Sequence, residues 1–151
     1  MSVVQFHEYP TQDGFKLLEI SLNAEKSLNA LTLEMIQLIE PRLEKAAVDD
    51  SIKAVLLTSA GDKAFCAGGD VVSLYRSITS GDNPNFPTEY FTHEYRLDYR
   101  IHTFPKPIIC WGSGIVMGGG MGLMNGCSHR IVTETSHMAM PEVTIGLFPD
   151  V

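Results

Sequence analysis

Two glycine-rich turns and a pair of carboxylates are the residues with chemistry to offer. Lys63-Ala64-Phe65-Cys66-Ala67-Gly68-Gly69-Asp70 supplies one turn and Met117-Gly118-Gly119-Gly120-Met121-Gly122 the other. Glu142 follows Met140-Pro141, and Asp150 ends the run Gly146-Leu147-Phe148-Pro149-Asp150. Glycine lets a backbone approach a ligand closely, so bare amides from two turns could converge on one developing negative charge. Two amide donors beside a carboxylate suit chemistry at a carbonyl, and two carboxylates in unlike surroundings can divide the roles of acid, base and nucleophile.

Each feature has a plainer reading. Gly118 to Gly120 fall at a predicted strand-to-helix junction, where unpaired N–H groups and the helix dipole favour an anion, but small residues there also serve close helix packing. Pro141 holds Met140 extended and fixes where Glu142 projects, yet a glutamate alone is equally an ordinary surface residue. Rival motifs fail on spacing. Gly112-Ser113-Gly114 has Met117 where a dinucleotide fingerprint needs its third glycine, and Trp111 and Ile115 flank Ser113 where a hydrolase elbow needs glycines. The five histidines show no HxH or HExxH spacing, which argues against a metal site.

The elements that would carry these residues follow from periodicity and punctuation. Val3 to Tyr9 and Phe15 to Leu22 predict a hairpin around Thr11-Gln12-Asp13-Gly14, with Phe15 and Leu17 on one face and Leu18, Ile20 and Leu22 on the other. Thr32 caps a helix that points Leu33, Ile36, Leu38, Ile39, Leu43 and Ala46 inward and that Pro41 should kink or restart. Ala54 to Ser59 reads as a buried strand. Asp70 caps a helix to about Ser80, residues 81–87 form a loop, and a second helix spans Thr88 to Thr103. Pro107 opens the strand Ile108 to Gly112, the glycine run opens a short helix to Asn125, and Ser128 to Thr133 is the next strand. The alternation predicts an α/β fold.

At 151 residues the chain fits one domain, residues 1–151, large enough to bury roughly 68–70% of its unfolded surface. The 44% hydrophobic and 19% charged composition excludes a disordered or low-complexity chain. A net charge of −7 with scattered lysines and arginines argues against nucleic acid as partner. The odd count of three cysteines, Cys66, Cys110 and Cys127, without CxxC spacing, reads as buried free thiols in a reducing compartment. Residues 1–8 lack the pattern of a secretory signal, so the expected location is cytoplasmic. From Pro107 to Ser128 no residue is charged, and Gly114, Gly118, Gly122 and Gly126 fall at GxxxG spacing. Seven glycines in that window nevertheless make a poor membrane helix, and no membrane association is expected.

Asn29-Ala30-Leu31, Ala64 to Asp70, Met117 to Gly120 and Pro141-Glu142, taken together, resemble the crotonase (enoyl-CoA hydratase/isomerase) superfamily from about residue 14 onward. Residues 139–151 are similar to its 3-hydroxyisobutyryl-CoA hydrolase branch. The resemblance implies a crotonase-like spiral of β-β-α units and an acyl-CoA thioester as ligand, with CoA as part of the substrate rather than a cofactor. It puts the two oxyanion-hole donors on the N–H of Gly69 and Gly119, and the catalytic carboxylates on Glu142 and Asp150. It assigns CoA contacts to Lys26, Ser27 and Leu28 and to Lys63, Ala64, Phe65 and Ala67, with Gly68, Asp70 and Gly118 in the same binding surface. Phe91-x-x-Glu94-Tyr95 is similar to a segment that brings a glutamate to the substrate, which puts Glu94 in the pocket, although a solvated helix face suits Glu94 equally. Hydratases of the family carry a second glutamate where this chain has Gly122, so the implied reaction is hydrolysis of a short 3-hydroxyacyl-CoA, as in valine degradation. An isomerase or a non-catalytic acyl-CoA-binding module are the alternatives. Family members continue well past the position of Val151, which implies a truncated core, exposed apolar surface on this segment alone, and homo-oligomer contacts made by regions outside it.

Overall fold

The computed structural model describes residues 2–151. Strands β1 (Val4–Pro10) and β2 (Lys16–Leu22) pair antiparallel through a turn in which the Gly14 N–H donates to the Thr11 carbonyl at 3.2 Å. The alternation in β2 buries Leu18, Ile20 and Leu22, whereas Phe15 faces outward beneath the Lys53 ammonium, 4.0 Å from its ring centre.

Helix α1 (Leu33–Val48) crosses over to β3 (Ile52–Ser59), which lies parallel to β2. Thr32 accepts from the Met35 N–H at 3.2 Å, the expected cap. Two expectations for this helix are corrected. Pro41 interrupts nothing, because Pro41 and Gln37, whose carbonyl loses its partner there, both face solvent, where water can serve the carbonyl. Leu38 is 36% exposed, since it sits about 200° around the helix from the buried Ile36, and Met35 takes the inward place instead.

After β3 the chain forms β4 (Ala64–Cys66), α2 (Val71–Ser80), α3 (Phe86–His102), β5 (Ile108–Gly112), β6 (Ile115–Met117), α4 (Gly119–Gly126), β7 (His129–Val132) and β8 (His137–Ala139). Two sheets result. The larger has the order β1-β2-β3-β5-β7 and is parallel from β2 onward; the smaller, β4-β6-β8, is parallel throughout. Helices alternate with strands as the sequence predicts, so the fold is α/β. One apolar core fills the space between the large sheet and α1, α3 and α4, with Leu18, Ile36, Leu57, Leu97 and Leu123 among its members. The three short strands of the small sheet are absent from the sequence reading, because three residues are too few to establish a period. Strand β7 is exposed at the sheet edge, with Val132 58% accessible.

Candidate active site

The small sheet positions the chemistry. Its three strands run in one direction and end, respectively, just before Gly68-Gly69, Gly118-Gly119 and Pro141-Glu142. Ligands of parallel sheets sit beyond the carboxyl ends of the strands, and a cleft of about 430 Å³ opens there. Ala67, Gly68, Gly69, Gly118, Gly119, Glu94, Glu142 and Asp150 all border it.

The two turns meet without space for side chains. A Cβ placed on Gly119 would lie 3.4 Å from the Gly69 nitrogen and 2.5 Å from Glu94 Oε1. Gly118 has φ +48°, and a Cβ there would stand 3.5 Å from the Gly68 Cα and 2.7 Å from Glu142 Oε1. Only glycine combines that backbone angle with that approach. Gly119 is the first residue of α4, so its N–H has no partner within the helix, and the Gly69 N–H donates to no backbone carbonyl in the loops and turns described.

Carboxylates close the other sides. Glu142 begins a short 3-10 turn, Glu142–Ile145, and its Oε2 is buried with no hydrogen-bond partner among the described residues. Glu94 on α3 is only 4% exposed, so the solvated-face alternative does not hold; burial first, then the nearby Asp98 and Asp150 charges, pushes its carboxyl up to about 8. Asp150 is exposed at the rim and accepts from the Tyr95 hydroxyl. No lysine, arginine or histidine is among the residues bordering the cleft. An arrangement of unpaired amides, one orphaned carboxylate and one hard-to-ionise carboxyl can stabilise an oxyanion, take a proton and donate one. Cys66 is no nucleophile, since burial pushes its thiol up to about 12. Among the described residues no group of three or more histidine, cysteine, aspartate or glutamate side chains could hold a metal ion.

The remaining sequence-derived residues lie apart from the cleft lining. Lys26 and Ser27 are exposed on a 3-10 turn, and Leu28 follows with φ +54°. The Leu28 carbonyl accepts from the Ala67 N–H at 3.1 Å, which sets segment 26–28 beside segment 63–67. Lys63 is exposed, whereas Ala64 and Phe65 are core side chains, and the Phe65 N–H is already engaged by the Ser113 carbonyl at 2.9 Å. Asp70 caps α2, accepting from the Ser73 N–H at 3.0 Å and from its hydroxyl at 2.6 Å, so its carboxylate is engaged within the fold.

Three residues have places in the structure that the sequence alone does not assign, although Asn29 belongs to one of the motifs that carry the resemblance. Asn29, 1% exposed, accepts from the Ala24 N–H and donates to the carbonyls of Ala60 and Ala64, fastening the two segments to each other. Tyr90 lies under Gly69 and donates to the Leu31 carbonyl at 2.8 Å. Asp98 has both oxygens buried and unpartnered among the described residues, and burial, then Asp150, pushes it up to about 7. For Tyr90 alone the sequence holds a signal, the stripe Tyr90, Glu94, Leu97, Ile101 that marks the buried face of α3.

Residues 17–151 match the enoyl-CoA hydratase/isomerase family. The chain belongs to that family. An enoyl-CoA hydratase from Rhodobacter sphaeroides superposes with a TM-score of 0.89 at 39% identity, covering 99% of this chain and 42% of that one. Mitochondrial 3-hydroxyisobutyryl-CoA hydrolase of Gallus gallus is 45% identical over 132 residues, which is 87% of this chain and 34% of that protein. The small ribosomal subunit protein mS47 of Neurospora crassa is 40% identical over 138 residues, 91% of this chain and 27% of that protein. The chain thus spans about a third of the length of the curated relatives it matches. The α/β architecture is that of the crotonase-fold hydratases, and no described helix is long and apolar enough to cross a membrane.

Proposed function

We propose that this chain carries the thioester site of a hydrolase that cleaves a short 3-hydroxyacyl-CoA, similar to 3-hydroxyisobutyryl-CoA, into free acid and CoA. The observation that carries the reading is the meeting of Gly69 and Gly119, two residues with unengaged amides, beside the unpartnered carboxylate of Glu142. In the reaction the thioester carbonyl oxygen accepts from both amides as it gains negative charge. Glu142 attacks the carbonyl carbon to give an acyl-enzyme anhydride, which water then hydrolyses to the free acid and the regenerated carboxylate, or Glu142 takes a proton from a water that attacks directly; in either route the C–S bond breaks and the CoA sulfur takes up a proton delivered by water or by the protonated Glu142 and departs as the thiol. Asp150, held by Tyr95, orients water or the substrate hydroxyl. Glu94, which borders the cleft, contacts the bound acyl group. The exposed Lys26 and Lys63 suit the phosphates of CoA, which the acidic cleft would repel. Family kinship with proteins named hydrolases supports this chemistry over hydration.

The test is CoA release from 3-hydroxyisobutyryl-CoA by the full-length protein, followed with a thiol reagent, for the natural sequence and Glu142→Gln. Loss of release in the variant is expected; equal turnover removes Glu142 from the mechanism. An isomerase would shift a double bond and liberate no thiol. The likeness to a ribosomal subunit protein favours a second reading, a non-catalytic module that binds acyl-CoA or protein. Such a module would release no thiol with either sequence. Three buried free thiols suit a reducing compartment such as the cytoplasm, whereas the Gallus gallus relative is named mitochondrial; fractionation of the full-length protein decides.

A further inference from the structure

Helix α3 brings more to the cleft than the one glutamate that borders it. Glu94 and Asp98 are four residues apart, so they stand in line on one helix face. Glu94 lies against Gly119, and Asp98 lies behind it against α4, where a Cβ on Gly122 would come within 3.0 Å of Oδ2. The missing side chain at Gly122 leaves room for this carboxyl and for Val151, whose Cβ would be nearer still, at 2.8 Å. Both Asp98 oxygens are buried, and neither has a hydrogen-bond partner among the described residues. Asp150 approaches from the C-terminal segment, with Tyr95 as its donor. Glu142 faces Glu94 from the far side of the cleft, the Cys66 thiol of β4 faces Glu94 and Asp98, the Tyr90 hydroxyl beside Glu94 favours its ionised form but is outweighed by burial, and α4 meets the two carboxyls at Gly119 and Gly122. A buried carboxylate without a partner or cation is costly, and adjacent carboxyls in that condition retain protons rather than ionise together.

We propose that Asp98 is a positioning residue for this site, keeping a proton on the Glu94–Asp98 pair so that Glu94 meets the ligand as a hydrogen-bond donor. The inference rests on the acyl-CoA reading and deepens it by giving Glu94 a protonation state. Burial raises both carboxyls, and Asp98 adds to the rise at Glu94. A neutral Glu94 can donate to an acyl hydroxyl or carbonyl oxygen, which an anion would repel.

The experiment compares full-length protein with Asp98→Asn, equal in shape and uncharged, and with Asp98→Ser should the first fold poorly. Infrared spectroscopy follows the protonated-carboxyl stretch through a pH titration, and Glu94→Gln identifies the Glu94 component. Removing the Asp98 charge should let Glu94 lose its proton at lower pH, by roughly one unit. The basic limb of kcat/KM for CoA release should move down with it. A purely structural aspartate would lower thermal stability and leave the Glu94 titration in place, and that result overturns the proposal. If no sequence releases CoA, the natural one included, the hydrolase reading fails, and the infrared titration alone still supports or overturns the role of Asp98.

Discussion

The two sheets divide the work of the molecule. In the large sheet, strands of up to eight residues bury Leu18, Ile20, Val55 and Leu57 completely or nearly so, and side chains determine where the backbone lies. In the small sheet, three strands of three residues end at glycines, and backbone approaches backbone with almost nothing between. The first region holds the fold by apolar area, and the second holds a reactive geometry by having no side chains to give way. Damage to either should therefore be seen by different measurements.

The largest effect expected is on chemistry alone: Glu142→Gln should lower CoA release by about 10²- to 10⁴-fold while the melting temperature stays close to the parent's, read by thiol assay and calorimetry. Gly119→Ala comes next, since its methyl would meet Glu94 Oε1 and crowd the Gly69 nitrogen. If Gly119 is the oxyanion donor of the proposed reaction, displacing it should cost about 2.7–4 kcal/mol of transition-state stabilisation, or about 10²- to 10³-fold in kcat. On the other side of the comparison, Leu18→Ala in the large sheet should cost about 2–5 kcal/mol in denaturant unfolding and leave kcat of the folded fraction unchanged. If Leu18→Ala abolished kcat in folded protein, the two sheets would not be separable.

A smaller effect is pH-dependent. Glu94 has a folded value near 8 against an ordinary 4.5, so between these values the folded protein keeps a proton that the unfolded chain has released. Folding stability should fall as pH rises through that window. Glu94→Gln should flatten the slope, measured as denaturation midpoint against pH. Least of all, Leu38→Gln on the exposed face of α1 should change stability by no more than about 0.5 kcal/mol.

Legibility in the sequence follows the same division. The hairpin, the Thr32 and Asp70 caps and the strand after Pro107 were readable because each depends on neighbours in the chain. Leu38 and Pro41 depart from expectation because residue type alone, an apolar side chain or a helix breaker, does not say which face of α1 meets solvent. Strands β4, β6 and β8 were hidden, since each is shorter than the pattern that reveals a strand and exists only through its neighbours. The glycines of the site were conspicuous by composition, but their pairing across 50 residues of sequence, Gly69 against Gly119, came from family resemblance rather than from local pattern. Asn29, Tyr90 and Asp98 share one trait: each is a polar side chain that the interior has accepted, and burial is a property of the whole fold.

Gly118, Gly119 and Gly120 leave no volume for a methyl group, the last because a Cβ would collide with the Cys66 carbonyl. Evolutionary change at this floor is thereby restricted, and a change in what the cleft accepts must fall on its walls instead. Phe91, Thr144, Leu147 and Phe148, the last 81% exposed, are the side chains on which such diversification can act without disturbing the glycine turns beneath.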